Sequence, residues 1–227
     1  MANSKNENLN TPRGVLIYPH LVEPDYGNDE YPKPQGEYNT MVKLSAHEAQ
    51  PLIAKLEPLH QEAVAIAESK FKNLKPAQKK KLGKVQVNDF FIEEYDKETE
   101  EPTGNLLFKF KSKASGTKNG KEWTRTIPLF DAGGKRITPD SVWGGSEGKV
   151  AFTVVPYFIP ATGAAGISCY LNAVQILELR NGGGGTADSF GFGEEEGYHA
   201  SEESTDASDA EEEEEDPPFD LEEDTDF

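Results

Sequence analysis

Hydrophobic and polar positions alternate most sharply over residues 106–111, where Leu106, Phe108 and Phe110 are interleaved with Leu107, Lys109 and Lys111. A period of two sends successive side chains to opposite faces of a strand, so Phe108 and Phe110 share one face while Lys109, Lys111 and Lys113 share the other. Shorter signals of the same kind predict strands over 14–20 (Val15, Leu16, Ile17, Tyr18) and 38–44 (Tyr38, Thr40 and Val42 on one face). Further strands are expected over 123–130, 149–159 and 167–179. Pro156 confines its end of the 149–159 strand to an edge or a bulge. Residues 22–35, with Pro24, Gly27, Pro32 and Pro34, read as a turn-rich connection, and 96–104 and 115–120 as an acidic loop and a turn.

One stretch has a different period. Leu52, Leu56, Leu59, Ala63, Ile66 and Ala67 recur at helical spacing, and Ser45 with Glu48 has the spacing of a capping box. The expectation is a helix that starts at Ser45 or, because Pro51 suits a first turn, near Gln50, and runs to about residue 74, kinked or divided at Pro58, which lacks an amide hydrogen and crowds the preceding turn. Pro76 and Gly83 bracket a polar linker that ends the helical block. Several strands with one long helix between early ones point to a small closed or nearly closed barrel with a helix across one opening.

Charge divides the chain sharply. Residues 181–227 hold 19 of the 41 acids and no Lys or Arg, which leaves 22 acids against 23 bases in residues 1–180. The net charge of −18 therefore describes the tail, and residues 1–180 form a nearly neutral domain. The tail, rich in Gly and Glu, is expected to be disordered, because it cannot bury enough apolar surface to offset its ordering entropy. With one cysteine, Cys169, no intrachain disulfide forms. No signal peptide or membrane span is read, so a reducing cytoplasmic setting is expected.

Bases cluster in two places: Lys70, Lys72, Lys75, Lys79, Lys80, Lys81 and Lys84, with no acid among them, and Lys109, Lys111, Lys113, Lys118, Lys121 and Arg125. A basic strand face near exposed rings suits single-stranded nucleic acid, since cations follow phosphates and rings stack on bases. The plainer alternative is that both groups are solvated surface and the rings are core. Trp143, before Gly144 and Gly145, and Tyr157, after Pro156, are the better stacking candidates. His20, His47, His60 and His199 are isolated, no zinc, calcium or nucleophile spacing is present, and Gly182 to Gly185 lacks the Lys and Ser or Thr of a phosphate loop. An enzyme reading finds no anchor, and no cofactor is expected.

These residues together resemble the single-stranded DNA-binding proteins of T7-like bacteriophages. The likeness runs through Pro24-Asp25-Tyr26-Gly27-Asn28, His60-Gln61-Glu62-Ala63, Phe108-Lys109-Phe110-Lys111, Gly144-Gly145-Ser146 before Lys149-Val150, Val155-Pro156-Tyr157, Gly163 to Gly166, and a glycine linker before an acidic tail ending Asp226-Phe227. It implies an oligonucleotide-binding (OB-fold) barrel with an inserted helix, acting in phage DNA replication, recombination and repair. It further implies strand annealing, a homodimer, and a tail that docks the phage DNA polymerase and primase-helicase through Asp226 and Phe227, in the cytoplasm of the infected host. The DNA-binding residues implied or read from charge are Lys33, Lys79, Lys80, Lys81, Lys109, Lys111, Lys113, Arg125, Trp143 and Tyr157. At Gln35-Gly36 the family's usual Arg-Gly pair is missing, so that arginine's role falls to another base, with Lys33 the candidate, or is absent here. An acidic chaperone for basic protein clients and a single-stranded RNA-binding module stand as alternatives.

Overall fold

The computed structural model describes residues 8–180. The chain runs β1 (Leu9–Asn10), β2 (Gly14–Gly27), β3 (Pro32–Ser45), α1 (Ala46–Lys72), α2 (Pro76–Leu82), β4 (Gln86–Val87), β5 (Ile92–Tyr95), β6 (Pro102–Lys113), β7 (Ser115–Lys118), β8 (Lys121–Thr124), β9 (Leu129–Phe130), β10 (Arg136–Ile137), β11 (Glu147–Phe158) and β12 (Ala164–Glu178). Five of these close a barrel. β2 pairs β3, β3 pairs β6 and β11 pairs β12, all antiparallel; β6 meets β12 in parallel at Phe110–Cys169 and Lys111–Tyr170; and β11 returns to β2 at Glu147–Val15. Numbered within the barrel, the strand order is 1-2-3-5-4-1 with both β6–β12 strands parallel, the order of an OB-fold. Gly148 leaves room for the neighbouring strand β12, because a Cβ there would lie 2.5 Å from the Gln175 carbonyl oxygen.

The interior is what the alternation predicts. Leu16, Thr40, Val42, Phe108, Phe110, Val150, Phe152 and Leu171 are fully buried, and the Phe110 and Phe152 rings meet at 4.9 Å between centroids. Phe130, on the short β9, is only half-buried. Cys169 is a buried core residue whose thiol is pushed up to about 12 by desolvation. α1 lies between β3 and β6 in sequence and closes one opening of the barrel with Leu52, Leu56, Ala63 and Ala67. Of the two starts considered, the capping box is the one that forms: Ser45 Oγ accepts from the Glu48 amide and the Glu48 carboxylate accepts from the Ser45 amide.

Four expectations change. Pro58 does not divide the helix: α1 runs unbroken through it, and both Pro58 and Ala54, whose carbonyl loses the Pro58 N–H as donor, lie on the exposed side. Residues 76–82 form a short helix rather than a linker, with Pro76 in the first turn, where a missing N–H costs nothing. Residues 22–35 form no irregular connection; β2 and β3 continue past the barrel as a two-stranded arm that turns at residues 28–31. Its prolines are tolerated because a free two-stranded arm has open edges where no ladder N–H is needed. Finally, 115–120 and 123–130 do not form a turn and one strand. Asn119 and Gly120, both at positive φ (51° and 76°), turn β7 into β8, and Pro128 separates β8 from β9. Pro156 does sit at an edge: it is exposed on the part of β11 that pairs only with β12. No helix among the described residues is long and apolar enough to cross a membrane. The tail expectation, with Asp226 and Phe227, lies outside the described residues.

Candidate nucleic-acid interface

Because Phe108, Phe110 and Ser112 point inward, Lys109, Lys111 and Lys113 stand in a column on the outside of β6. Register extends that column into rows across the sheet. Lys109 faces Met41, which faces Ile17; Lys111 faces Asn39, which faces His20; Lys113 faces Glu37, which faces Asp25. On its other side Lys111 lies beside Tyr170 of β12. In an OB-fold this outer surface, the second and third barrel strands, together with the two hairpin loops at its ends, is where oligonucleotides lie.

The arm end of this surface carries acids as well as bases. Lys33 Nζ donates to Asp25 Oδ2 at 2.7 Å and to Glu37 Oε1 at 2.8 Å, while the second Glu37 oxygen is 3.8 Å from Lys111 Nζ. Lys33 is thus held by two carboxylates. Burial draws its ammonium down, but the bonds to Asp25 and Glu37 more than compensate, so its pKa is raised above the usual lysine value. Asp25 is correspondingly lowered, chiefly by the Lys33 hydrogen bond and then by the Gly27 amide. Farther down the sheet, Lys43 pairs with Glu94 at 3.3 Å, and Glu94 is lowered by hydrogen bonds from Asn105, Thr103 and Lys43.

The remaining sequence candidates fall in three places. Arg125 follows β8, with its amide bonded to the Ala114 carbonyl, and its guanidinium carbon lies 4.9 Å above the centre of the Tyr170 ring. Tyr157 lies opposite Gly166 on β12, its hydroxyl accepting from Asn88 Nδ2 at 2.8 Å. A Cβ on Gly166 would come within 3.2 Å of that hydroxyl, so the glycine is the seat on which the ring rests. Asn88 is itself fixed by its amide on the Ala165 carbonyl and by its own carbonyl 2.9 Å from His60 Nε2 of α1. α2 packs against the turn that leads into β12: Gly163 sits against Leu82 and the Lys84 carbonyl. Lys80 and Lys81 are exposed there, whereas Lys79 Nζ donates to the Lys72 carbonyl and helps finish α1. Read along β12, the order is α2, then Tyr157, then the Lys111–Tyr170 row, about 20 Å from end to end at the rise of a strand.

Trp143 is not part of this line. It is exposed in the loop before β11, with Nε1 donating to Ser141 Oγ, and its turn bonds to Leu16 at the β2–β11 seam. Along β11 that seam is about 30 Å from Tyr157. Tyr170 is the residue that sequence reading passed over. Cys169, Tyr170 and Leu171 form a continuous apolar run, which hides the fact that the middle one faces outward. Tyr26 and Tyr31 on the arm are largely exposed as well. Among the described residues, no group of His, Cys, Asp and Glu side chains could hold a metal ion.

Comparison with known proteins agrees with this geometry. The family model described as "Single-stranded DNA-binding protein, Bacteriophage T7" matches residues 14–179. The single-stranded DNA-binding protein of Enterobacteria phage T3 is 31% identical over 209 residues, covering 88% of this chain and 87% of that one. The corresponding protein of Escherichia phage T7 is 31% identical over 194 residues, covering 81% of each. The crystal structure of gp2.5, a single-stranded DNA-binding protein encoded by bacteriophage T7, superposes with a TM-score of 0.61 at 25% identity, over 86% of this chain and 99% of that one.

Proposed function

Since the chain belongs to the bacteriophage T7 single-stranded DNA-binding protein family, we propose that it coats single-stranded DNA during phage replication, recombination and repair, with the outer face of β3, β6 and β12 as its DNA surface. The observation that carries this reading is the outward column Lys109, Lys111 and Lys113 on a closed OB barrel, bordered by Tyr170 and leading to Tyr157. Phosphate contacts to such a column displace counterions and carry no sequence information, and stacking tolerates any base because every base has a ring face. Binding single strands in preference to duplex removes weak secondary structure by mass action. A coat that exchanges quickly leaves strands accessible for pairing, which is how a binder promotes annealing without bond chemistry.

The acidic segment 181–227 supplies the rest of the proposal. Its 19 acids and terminal Asp226-Phe227 suit docking to basic pockets on the phage DNA polymerase and primase-helicase, with the ring as apolar anchor. The same segment competes with DNA for the basic face, in this chain or in the partner of a homodimer, inside the infected cell. Anisotropy salt titrations on unstructured single-stranded DNA, the matching duplex and RNA, for residues 1–227 and 1–180, test both halves. Preference for single-stranded DNA, a steep salt slope and tighter binding without the tail are expected. A folded 1–180 fragment that binds none of the three would refute the coating role.

A further inference from the structure

We propose that Tyr170 and Arg125 act as one composite platform at the middle of the DNA face, the phenol ring holding the guanidinium flat so that a nucleobase stacks on it. The inference rests on the reading of that face as the DNA surface. Three observations on different segments converge. First, Tyr170 is directed outward between two core residues, Cys169 at 5% and Leu171 at 0% exposure. Second, β6 and β12 pair only through Phe110–Cys169 and Lys111–Tyr170, which places Tyr170 next to the central lysine of the basic column. Third, the segment after β8 runs alongside β12, with the Val174 amide on the Pro128 carbonyl and Leu129 opposite Val174, and this brings the Arg125 guanidinium 4.9 Å over the ring centre.

The chemistry favours these two residue types. A guanidinium is planar and weakly hydrated, so it stacks on an aromatic face, and a base can stack in turn on the guanidinium while its N–H groups reach a phosphate. Lysine keeps the charge but has no plane to stack. The outward neighbours on β12, Ser168 and Asn172, are small, and Asn172 is committed to Asn8 and Thr153. Tyr170 is therefore the large outward ring of this strand. Tyr157, four positions away by register, makes a second stacking point about 13 Å along it. That span suits two or three nucleotides between the two rings.

The test uses the full chain, anisotropy on an unstructured single strand, and thermal melts of every variant. Tyr170→Leu and Arg125→Lys are each expected to weaken binding roughly tenfold. Neither should alter the slope of log affinity against log salt, since no charge is lost. Tyr170→Phe should bind within about twofold of wild type by the same reasoning, because it keeps the ring. The Tyr170→Leu, Arg125→Lys double variant should be no weaker than either single, as residues acting as a unit are not additive. A Tyr170→Leu variant that lowers the melting temperature yet binds normally would overturn the platform and leave a purely structural contact. Additive losses, or a Tyr170→Phe variant as weak as Tyr170→Leu, would overturn it too. Lys111→Gln separates the platform from the face. A shallower salt slope in Lys111→Gln with unaffected Tyr170→Leu rejects the platform alone, whereas no effect of any of these substitutions rejects the DNA face itself.

Discussion

Glu37 stands in the row of Lys113 with its carboxylate between two lysines, and replacing it with glutamine should tighten DNA binding. Its oxygens lie 2.8 Å from Lys33 Nζ and 3.8 Å from Lys111 Nζ. A phosphate oxygen bonded to Lys111 at about 3 Å would then lie about 7 Å from the Glu37 carboxylate. Two unit charges at that separation repel by about 0.6 kcal/mol at the dielectric of water and about 2.4 kcal/mol at an effective value of 20. The Lys111 side chain is 45% exposed, so the screened end of that range applies. About 0.6 kcal/mol, or about threefold in affinity, is expected at low salt. The benefit should shrink as ionic strength rises, because about 7 Å is close to the Debye length at physiological salt. The assay is an anisotropy titration of full-length Glu37→Gln on unstructured single-stranded DNA from low to physiological salt, with thermal melts to verify folding. Affinity that is unchanged or lower throughout would refute the reasoning, since the carboxylate would then not face bound phosphate.

Three further outcomes are expected. The Asp25–Lys33–Glu37 triad should order the arm over a defined pH window: lowered Asp25 stabilises it above the ordinary value of 3.8 and this is lost as pH falls through the lowered value, while raised Lys33 stabilises it below 10.5 and this is lost as pH rises through the raised value. NMR relaxation of the Tyr26 and Tyr31 amides checks this, and unchanged order once Asp25 has titrated in a folded barrel would contradict it. Phe110→Ala removes a fully buried ring packed on Phe152 and should cost about 3–5 kcal/mol in denaturant unfolding; a loss below about 1 kcal/mol would show that the core collapses around the gap. Gly148→Ala forces a Cβ against the Gln175 carbonyl of β12 and should destabilise by about 1–3 kcal/mol, with early exchange of the Lys149 and Gln175 amides where β11 pairs β12. Wild-type stability would mean that the backbone yields there at no cost.

The barrel was legible wherever one face of a strand is buried, because alternation then records burial directly. Phe108 and Phe110 against Lys109 and Lys111 is the clearest case, and Tyr38, Thr40 and Val42 behave the same way. What stayed hidden depends on contacts distant in sequence. Tyr170 gains its role from Lys111, 59 positions earlier, and from Arg125, and a run of three apolar residues does not show which of them turns outward. Lys33 and Lys79 read as free bases because the partners that occupy them, Asp25, Glu37 and the Lys72 carbonyl, come into reach only once the arm and the helix end are formed. Prolines misled twice for one reason. Pro24, Pro32 and Pro34 lie on an arm with open edges and Pro58 on a solvent-facing turn, so the missing N–H is compensated in both places.

Replacing Lys109, Lys111 and Lys113 together with glutamine tests the central claim most directly, read as the salt dependence of single-stranded DNA affinity for the full chain. At about 0.7 per phosphate contact on a single strand, the slope of log affinity against log salt should become shallower by about 2. The melting temperature should stay close to that of wild type, because all three side chains lie on the outer face. An unchanged slope in the folded triple variant would contradict the account and move the DNA path off the β6 face.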